Sequence, residues 1–408
     1  MRLKRVLATG GKLCALGLFA LLSVCPSWSA PNYAVLHAFG NPGDGSELQA
    51  GVVLDNKGHV YGASTGGGYG YGTVFKLTRQ PDGQWKEKKL YEFRRDDPNG
   101  TYPYGGVILD GAGNLYGAGT LGGVNHVGTI FQLTPGPTGW TLNLLYSFCS
   151  QPDCSDGGAP QASLVLDSTG NLYGTAFNVF ELSPGPDGWT EAVLYNFCSE
   201  PNCTDGATPR AGLILDTKGN LYGTTQGGGT YDVGTVFKVR HMPDGTWKER
   251  VLHSFGSFPK DGVNPGRGAL TFDSAGHLYG TTSIGGANYR GTVFSLTRQP
   301  DGHWKETIIH SFKVGKGGNA PGAGVVIDTA GNLYGTAGVG GSDCDCGVVY
   351  KLVPNPDGTW TYSVLHRFTG YDGAFPSANL VLDDQGNLYG TTLFGGSGDG
   401  GVVFQITP

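Results

Sequence analysis

One phrase, Gly219-Asn220-Leu221-Tyr222-Gly223-Thr224-Thr225, returns in near-copies down the whole chain, and no other feature limits the fold so strongly. The copies begin at Gly58, Gly113, Gly170, Gly219, Gly276, Gly331 and Gly386. Their tyrosines, Tyr61, Tyr116, Tyr173, Tyr222, Tyr279, Tyr334 and Tyr389, are spaced 55, 57, 49, 57, 55 and 55 residues apart. One structural unit is therefore repeated seven times, with a period somewhat above the ~40 to 50 residues of familiar propeller blades.

Within the fourth unit four short β-runs stand between turn signals: Ala211 to Asp216, Asn220 to Thr225, Gly234 to Val239 and Trp247 to Phe255. Asp244-Gly245 marks the hairpin before the last. Alternation is clearest there, with Trp247, Glu249, Val251, His253 and Phe255 on one face, as expected of a half-covered strand. The first run, exemplified by Gly324-Val325-Val326-Ile327, is small and apolar without alternation, which predicts an innermost strand covered on both faces. The fourth strand is then outermost.

The two ends of the repeat array test this. Tyr33, Val35, His37 and Phe39 match the fourth strand in register, while the seventh unit stops after its third strand, Val402 to Ile406. A spare strand at the start and a missing one at the end predict a closed ring, which removes exposed sheet edges. The expectation is an all-β, seven-bladed β-propeller of four-stranded antiparallel blades spanning residues 30–408, its last blade completed by the N-terminal strand. The recurring Asp-x-x-Gly-Asn-Leu-Tyr-Gly-Thr-Thr, Gly-Thr-Val-Phe-x-Leu and Asp-Gly-x-Trp resemble the GloVer tandem repeat, a bacterial family of exported repeat proteins, over residues 33 to 408. The resemblance implies export and a propeller-like repeat, and implies no particular reaction. Members often carry a C-terminal sorting anchor, and the ending Ile406-Thr407-Pro408 shows none.

The first 29 residues read as a secretory signal: Arg2, Lys4, Arg5 and Lys12, then an apolar run from Leu13 to Val24, then small residues up to a cleavage point after Ser29. Lipidation at Cys25 is the alternative, although valine fits poorly before a lipobox cysteine. Without its leader the chain carries 23 basic against 33 acidic residues. No basic patch is expected, and nucleic acid is excluded as a partner. Neither is a membrane-spanning segment expected in the mature chain, which should be monomeric and either periplasmic or extracellular.

Cys149 with Cys154 and Cys198 with Cys203 occupy matching loops one repeat apart, which favours two local disulfides over a four-thiolate zinc site. Cys344 and Cys346 could close only a small strained ring, and their redox state is open.

Alternating strands send loops to two faces. One face carries the Asp-x-x-Gly turns, whose seven aspartates, Asp55 to Asp383, are expected to bond their own backbone amides rather than form a cation ring. The other face varies. Its second-to-third loops hold the binding candidates: Tyr69 and Tyr71, Asn125 and His126, Tyr231 and Asp232, Asn288, Tyr289 and Arg290, then Phe394 and Asp399. Asp343 and Asp345 are candidate ligands of a structural cation, and no other cofactor is expected. The third unit lacks this loop, predicting a notch between the two cysteine loops that would admit a ligand chain edge-on.

Gly62-Ala63-Ser64-Thr65-Gly66 fits Gly-x-Ser-x-Gly only as a copy of the repeat's second strand and not as a nucleophile elbow, no His-Glu-x-x-His is present, and no paired-carboxylate site stands out. His37, His253, His310 and His366 share a repeat position with Tyr91, Tyr146 and Tyr195, which predicts a structural role. Two functional classes follow: a non-catalytic binding scaffold engaging glycan or a surface protein, or a polysaccharide lyase or hydrolase using His126 or loop aspartates as acid and base.

Overall fold

A computed structural model describes residues 31–95 and 97–408. The leader, its cleavage point and Cys25 lie outside the described residues. Pro31–Pro408 forms one compact unit of seven antiparallel blade sheets and a small two-stranded pair, Gly45–Ser46 with Gly66–Gly67. Blade four shows the pattern: Ile214–Leu215, Leu221–Gly227, Thr235–His241 and Trp247–Ser254 pair in sequence order. The seventh blade takes Val381–Leu382, Leu388–Thr391 and Val402–Thr407 from the C-terminus and Asn32–Ala38 from the N-terminus. Asn32 stands opposite Thr407 and Ala38 opposite Val402, so the ring closes as the repeat count requires.

The repeat phrase can now be read residue by residue. Asp216 Oδ1 accepts from the amides of Lys218 and Asn220, while Oδ2 accepts from the Asn220 side chain and the Tyr222 hydroxyl. The same set recurs at Asp55, Asp110, Asp167, Asp273, Asp328 and Asp383, with His59 and His277 in the asparagine place. Burial pushes the Asp216 carboxyl up, but these donors outweigh it and hold it below the usual range. Glycine follows the tyrosine because a third-strand ring lies on it: a Cβ on Gly223 would sit 2.7 Å from Phe237 Cζ. The threonine after it reaches the next blade, as Thr281 Oγ1 donates to Ala323 O at 2.7 Å and Thr391 Oγ1 to Ala50 O at 2.8 Å.

Blades meet through aromatic pairs. The phenylalanine closing each fourth strand packs on the third-strand ring of the next blade: Phe39 on Phe75, Phe93 on Phe131, Phe148 on Phe180, Phe197 on Phe237, Phe255 on Phe294, Phe312 on Tyr350 and Phe368 on Phe404. Their centroids lie 4.7 to 5.4 Å apart, the range of favourable ring pairs. All seven junctions are filled in this way, so the core is a ring of seams rather than one mass.

The first strand is innermost, as expected, but it is not covered on both faces. It is two or three residues long and mostly half-buried, and residues in it or just before it, such as Val53, Ile108, Leu213 and Val381, line an axial cavity. The continuous burial belongs to the second strand, such as Val60–Ser64.

Candidate functional site

The variable face is built from two loop families that grip each other. In the second-to-third loops the chain turns back through a residue of positive φ, two positions before the glycine that opens the third strand. His126, Asp232, Tyr289, Asp345 and Asp399 hold this place at φ 54 to 61°. Each amide bonds back into its own loop, as His126 N does to Gly123 O and Tyr289 N to Gly286 O. The fourth-to-first loops carry a second set, Glu47, Tyr102, Ala159, Thr208, Asn264, Ala320 and Phe375, at φ 48 to 59°. Six of their amides donate to the loop of the preceding blade, for example Tyr102 N to Tyr71 O and Ala320 N to Arg290 O. Thr208 makes no such bond among the described residues, because blade three has no loop to offer it.

This geometry sorts the candidates. Asp232 Oδ1 caps its own turn by accepting from Gly228 N at 3.0 Å, and Asp399 does the same with Gly395 N. Asn125 and Asn288 donate to the carbonyls of Cys149 and Phe312, tying loop to outer strand. Aspartate tolerates the left-handed backbone at Asp232 and Asp399, and the two asparagines are held by these donations, so their presence needs no ligand. Tyr71 is half-buried against Tyr102, and Phe394 packs on Phe375. What remains exposed is a set of rings: Tyr69 is 58% exposed, Tyr231 51%, Tyr289 76% and Tyr371 92%. Tyr371 was missed in the sequence because it lies in a fourth-to-first loop. Arg94 lies over Tyr69, and the Arg290 side chain is exposed beside Tyr289.

Among these loops opens the axial cavity, of about 480 Å³, with walls from all seven blades. Gln49, Tyr104, Gln161, Gln226, Arg267 and Asn379 add polar groups to a lining of small and aliphatic residues. Its narrowness explains the small residues at the axis: a Cβ on Gly51 would stand 2.6 Å from Asn379 O. Nothing in the strand periodicity pointed to this cavity, since it exists only once the ring closes.

Both cysteine loops are disulfide-bonded, Cys149 to Cys154 and Cys198 to Cys203, and Cys344 is joined to Cys346 as well. Between the first two, blade three turns through Ala176 and Phe177, with Phe177 at φ 67° and 65% exposed. The shortened turn thus presents a ring to solvent. Asp343 and Asp345 are exposed on either side of Cys344.

A cluster unseen in the sequence lies at the blade junctions. The shared His/Tyr position bonds an aspartate in the loop after it: His37 with Asp44, Tyr91 with Asp97, Tyr146 with Asp156, Tyr195 with Asp205 and His366 with Asp372, at 2.7 to 3.1 Å. Against several of these the next blade presses a fourth-strand glutamate. Burial, then the charge of Asp156, pushes Glu191 up to about 7; burial, then Asp205 and Glu200, pushes Glu249 up to about 8. Burial, then Asp261, pushes Glu306 up to about 9. Paired carboxylates are therefore present after all, between blades rather than in an open cleft. His310 has no loop aspartate; it stacks on Tyr362 at 4.2 Å, and burial pulls it down to about 4.

On the opposite face the structure corrects the expectation of no basic patch. Lys218, Lys238, Arg240, Lys248, Arg250 and Arg298 line one groove at blades four and five, with Glu249 as its acidic member. The excess of acidic residues is a sum over the chain and does not fix where the cations gather.

The fold is similar to three solved structures. One is the extracellular domain of a hybrid two-component system protein of B. thetaiotaomicron, with 14% identity, a TM-score of 0.56, and 93% of this chain against 41% of that one covered. The second is PorZ, an essential bacterial surface component of the type-IX secretion system of Porphyromonas gingivalis, with 15% identity, a TM-score of 0.52, and 91% and 48% covered. The third is a protein named as a 6-phosphogluconolactonase from Bacteroides uniformis, with 14% identity, a TM-score of 0.52, and 81% and 89% covered. The chain spans less than half the length of the first two, and at such identities the likeness concerns the fold. No curated protein matches the sequence. Residues 24–179, 177–305 and 276–408 match one repeat family in succession, which together with the seven-fold blade phrase places this chain in the Gloeobacter/Verrucomicrobia repeat family.

Proposed function

We propose that the protein is an exported, non-catalytic binding scaffold that takes a glycan or similar cell-surface polymer across its variable-loop face. The observation that carries this is Tyr289. A bulky side chain at φ 55° costs backbone strain, and its ring is 76% exposed, so neither local conformation nor packing accounts for it. Neighbouring loops offer Tyr231, Tyr69 and Tyr371, and flat rings cover the apolar faces of sugars while adjacent polar groups fix orientation. Export is supported by the leader-like first 29 residues and by three disulfides, which persist in oxidising compartments. No helix among the described residues is long and apolar enough to cross a membrane. Two of the similar folds belong to an extracellular domain and a surface component.

The lyase or hydrolase alternative draws little support. His126 is exposed at a loop tip and its side chain has no hydrogen-bond partner among the described residues. The carboxylates with raised values are packed between blades rather than gathered in one cleft, Glu249 also bordering the basic groove.

Replacing Tyr231 and Tyr289 together by alanine is expected to lower binding on a glycan array at least tenfold, with the melting temperature within about 2 °C of wild type, since surface changes rarely move stability by more than ~0.5 kcal/mol. Binding that survives the double substitution removes this face. New reducing ends or unsaturated products from a polysaccharide panel would favour the enzyme instead.

A further inference from the structure

We propose that His253, Asp261 and Glu306 form a divalent transition-metal site, best suited to zinc, that stitches blade four to blade five. The histidine stands on the outer strand Trp247–Ser254, the aspartate in the loop after it, and the glutamate on the outer strand of the next blade, Trp304–Ser311. One ligand atom from each lies within 4.8 Å of the others. His253 Nε2 is 3.3 Å from Asp261 Oδ2 and 3.6 Å from Glu306 Oε2. Those separations are long for hydrogen bonds, but atoms bound to a common ion at roughly 2.0 to 2.2 Å stand roughly 3 to 3.5 Å apart.

Independent of this spacing, the polar atoms here are orphaned. The side chains of Asp261 and Glu306 are each 1% exposed, yet Asp261 Oδ1, both Glu306 carboxylate oxygens and His253 Nε2 lack a hydrogen-bond partner among the described residues. Buried polar atoms left unpaired are costly and rare. Two carboxylates and a neutral imidazole offer a divalent cation two compensating charges and a nitrogen donor. Calcium prefers six to eight oxygens, whereas an imidazole with two carboxylates suits zinc and its neighbours.

The surroundings position these groups. Asp261 Oδ2 accepts from Ser257 N at 2.8 Å and from its hydroxyl at 2.9 Å, which aims the carboxylate as an outer-shell partner does. His253 packs edge-on against Phe255 with centroids 4.9 Å apart, fixing the ring. The equivalent junctions of blades two and three place Tyr146 and Tyr195 where His253 stands, and their hydroxyls donate to Asp156 and Asp205 instead. Those positions supply no imidazole, and where His37 and His366 do, each bonds its loop aspartate directly at 3.1 and 2.9 Å, so the orphaned set belongs to the four–five junction.

The purified protein would be stripped with chelator, loaded with a small excess of zinc chloride, desalted, and its metal counted by native mass spectrometry. The expected result is one zinc per chain and a rise in the melting temperature that chelator reverses. Glu306→Gln, which keeps shape and removes charge, and His253→Tyr, which installs the residue of the sister blades, should each retain under a tenth of a zinc and show no zinc-dependent rise. Cobalt(II) should give visible absorption bands in the wild type alone. Should Glu306→Gln fail to fold by circular dichroism, His253→Tyr decides the matter. Less than a tenth of a zinc on the wild type, or equal zinc on wild type and variants, overturns the proposal.

Discussion

Tyr350 occupies the place where six other blades carry phenylalanine, and it brings a hydroxyl that is fully buried and has no hydrogen-bond partner among the described residues. Burial raises its ionisation far above the ordinary range, so the group stays a neutral, unsatisfied phenol. Leaving such a group unpaired costs about 1 to 3 kcal/mol, whereas the ring packing with Phe312 is kept by phenylalanine. Tyr350→Phe should therefore raise stability by about 1 kcal/mol in chemical denaturation, and a loss of stability would show that the hydroxyl has a partner, such as a bound water. Single residues were legible from the sequence where their partners are local. The turn aspartates were assigned correctly because every donor lies within six residues. The loop tips were harder: His126, Asp232 and Asp399 drew attention as polar residues on a variable face, yet φ near 60° explains their type without a ligand. Tyr289 is the exception: it shares their backbone angle, and only that angle shows that its exposed ring is held there against strain.

Fourth strands carry the least legible chemistry of the fold. Glu191, Glu249 and Glu306 look like ordinary outward residues of an alternating strand, but each meets an aspartate from the loop of the preceding blade. The partners are some 35 to 45 residues apart in sequence, and no local pattern couples them. At Glu249 the consequence is measurable. Its carboxyl titrates at about 8 in the folded protein against 4.5 when free, because of burial first and then the charges of Asp205 and Glu200. A raised value means that the folded state holds a proton the unfolded chain releases; the contribution is whole below about 4.5 and is lost as pH climbs through about 8. The turn aspartates work in the opposite sense, with lowered values whose contribution fades in acid. Glu249→Gln fixes the neutral form, so it should raise the melting temperature by a few degrees at pH 8 and leave it unchanged near pH 4.5. An equal effect at both pH values would place the glutamate in water.

Closure of the ring was the most legible property of the whole molecule, since a spare strand and a missing strand can be counted from the sequence, whereas the cavity on its axis could not. That closure also makes the strongest prediction. Asn32–Ala38 supplies the whole outer strand of blade seven, Phe39 fills the seam with Phe75 at 4.7 Å, and Tyr33 reaches back to stack on His366 at 3.7 Å. Removing residues 31–39 would strip the edge from Val402–Thr407, open two blade junctions and cost at least the ~3 to 5 kcal/mol of a buried phenylalanine, a large part of a typical domain's stability. Such a protein should lose its single cooperative melt and associate through the bared strand. Misfolding alone would not prove the ring, so the informative partner is a permutation. Because Asn32 lies opposite Thr407, residues 31–39 can be moved behind Pro408 through an Asp-Gly turn, recreating the hairpin that the other blades use before their fourth strand. The permuted chain should melt cooperatively within a few degrees of the wild type and run as the same species in size-exclusion chromatography. If the deletion melts like the parent, or the permutation fails to restore what the deletion removes, the N-terminal strand is not what closes the ring.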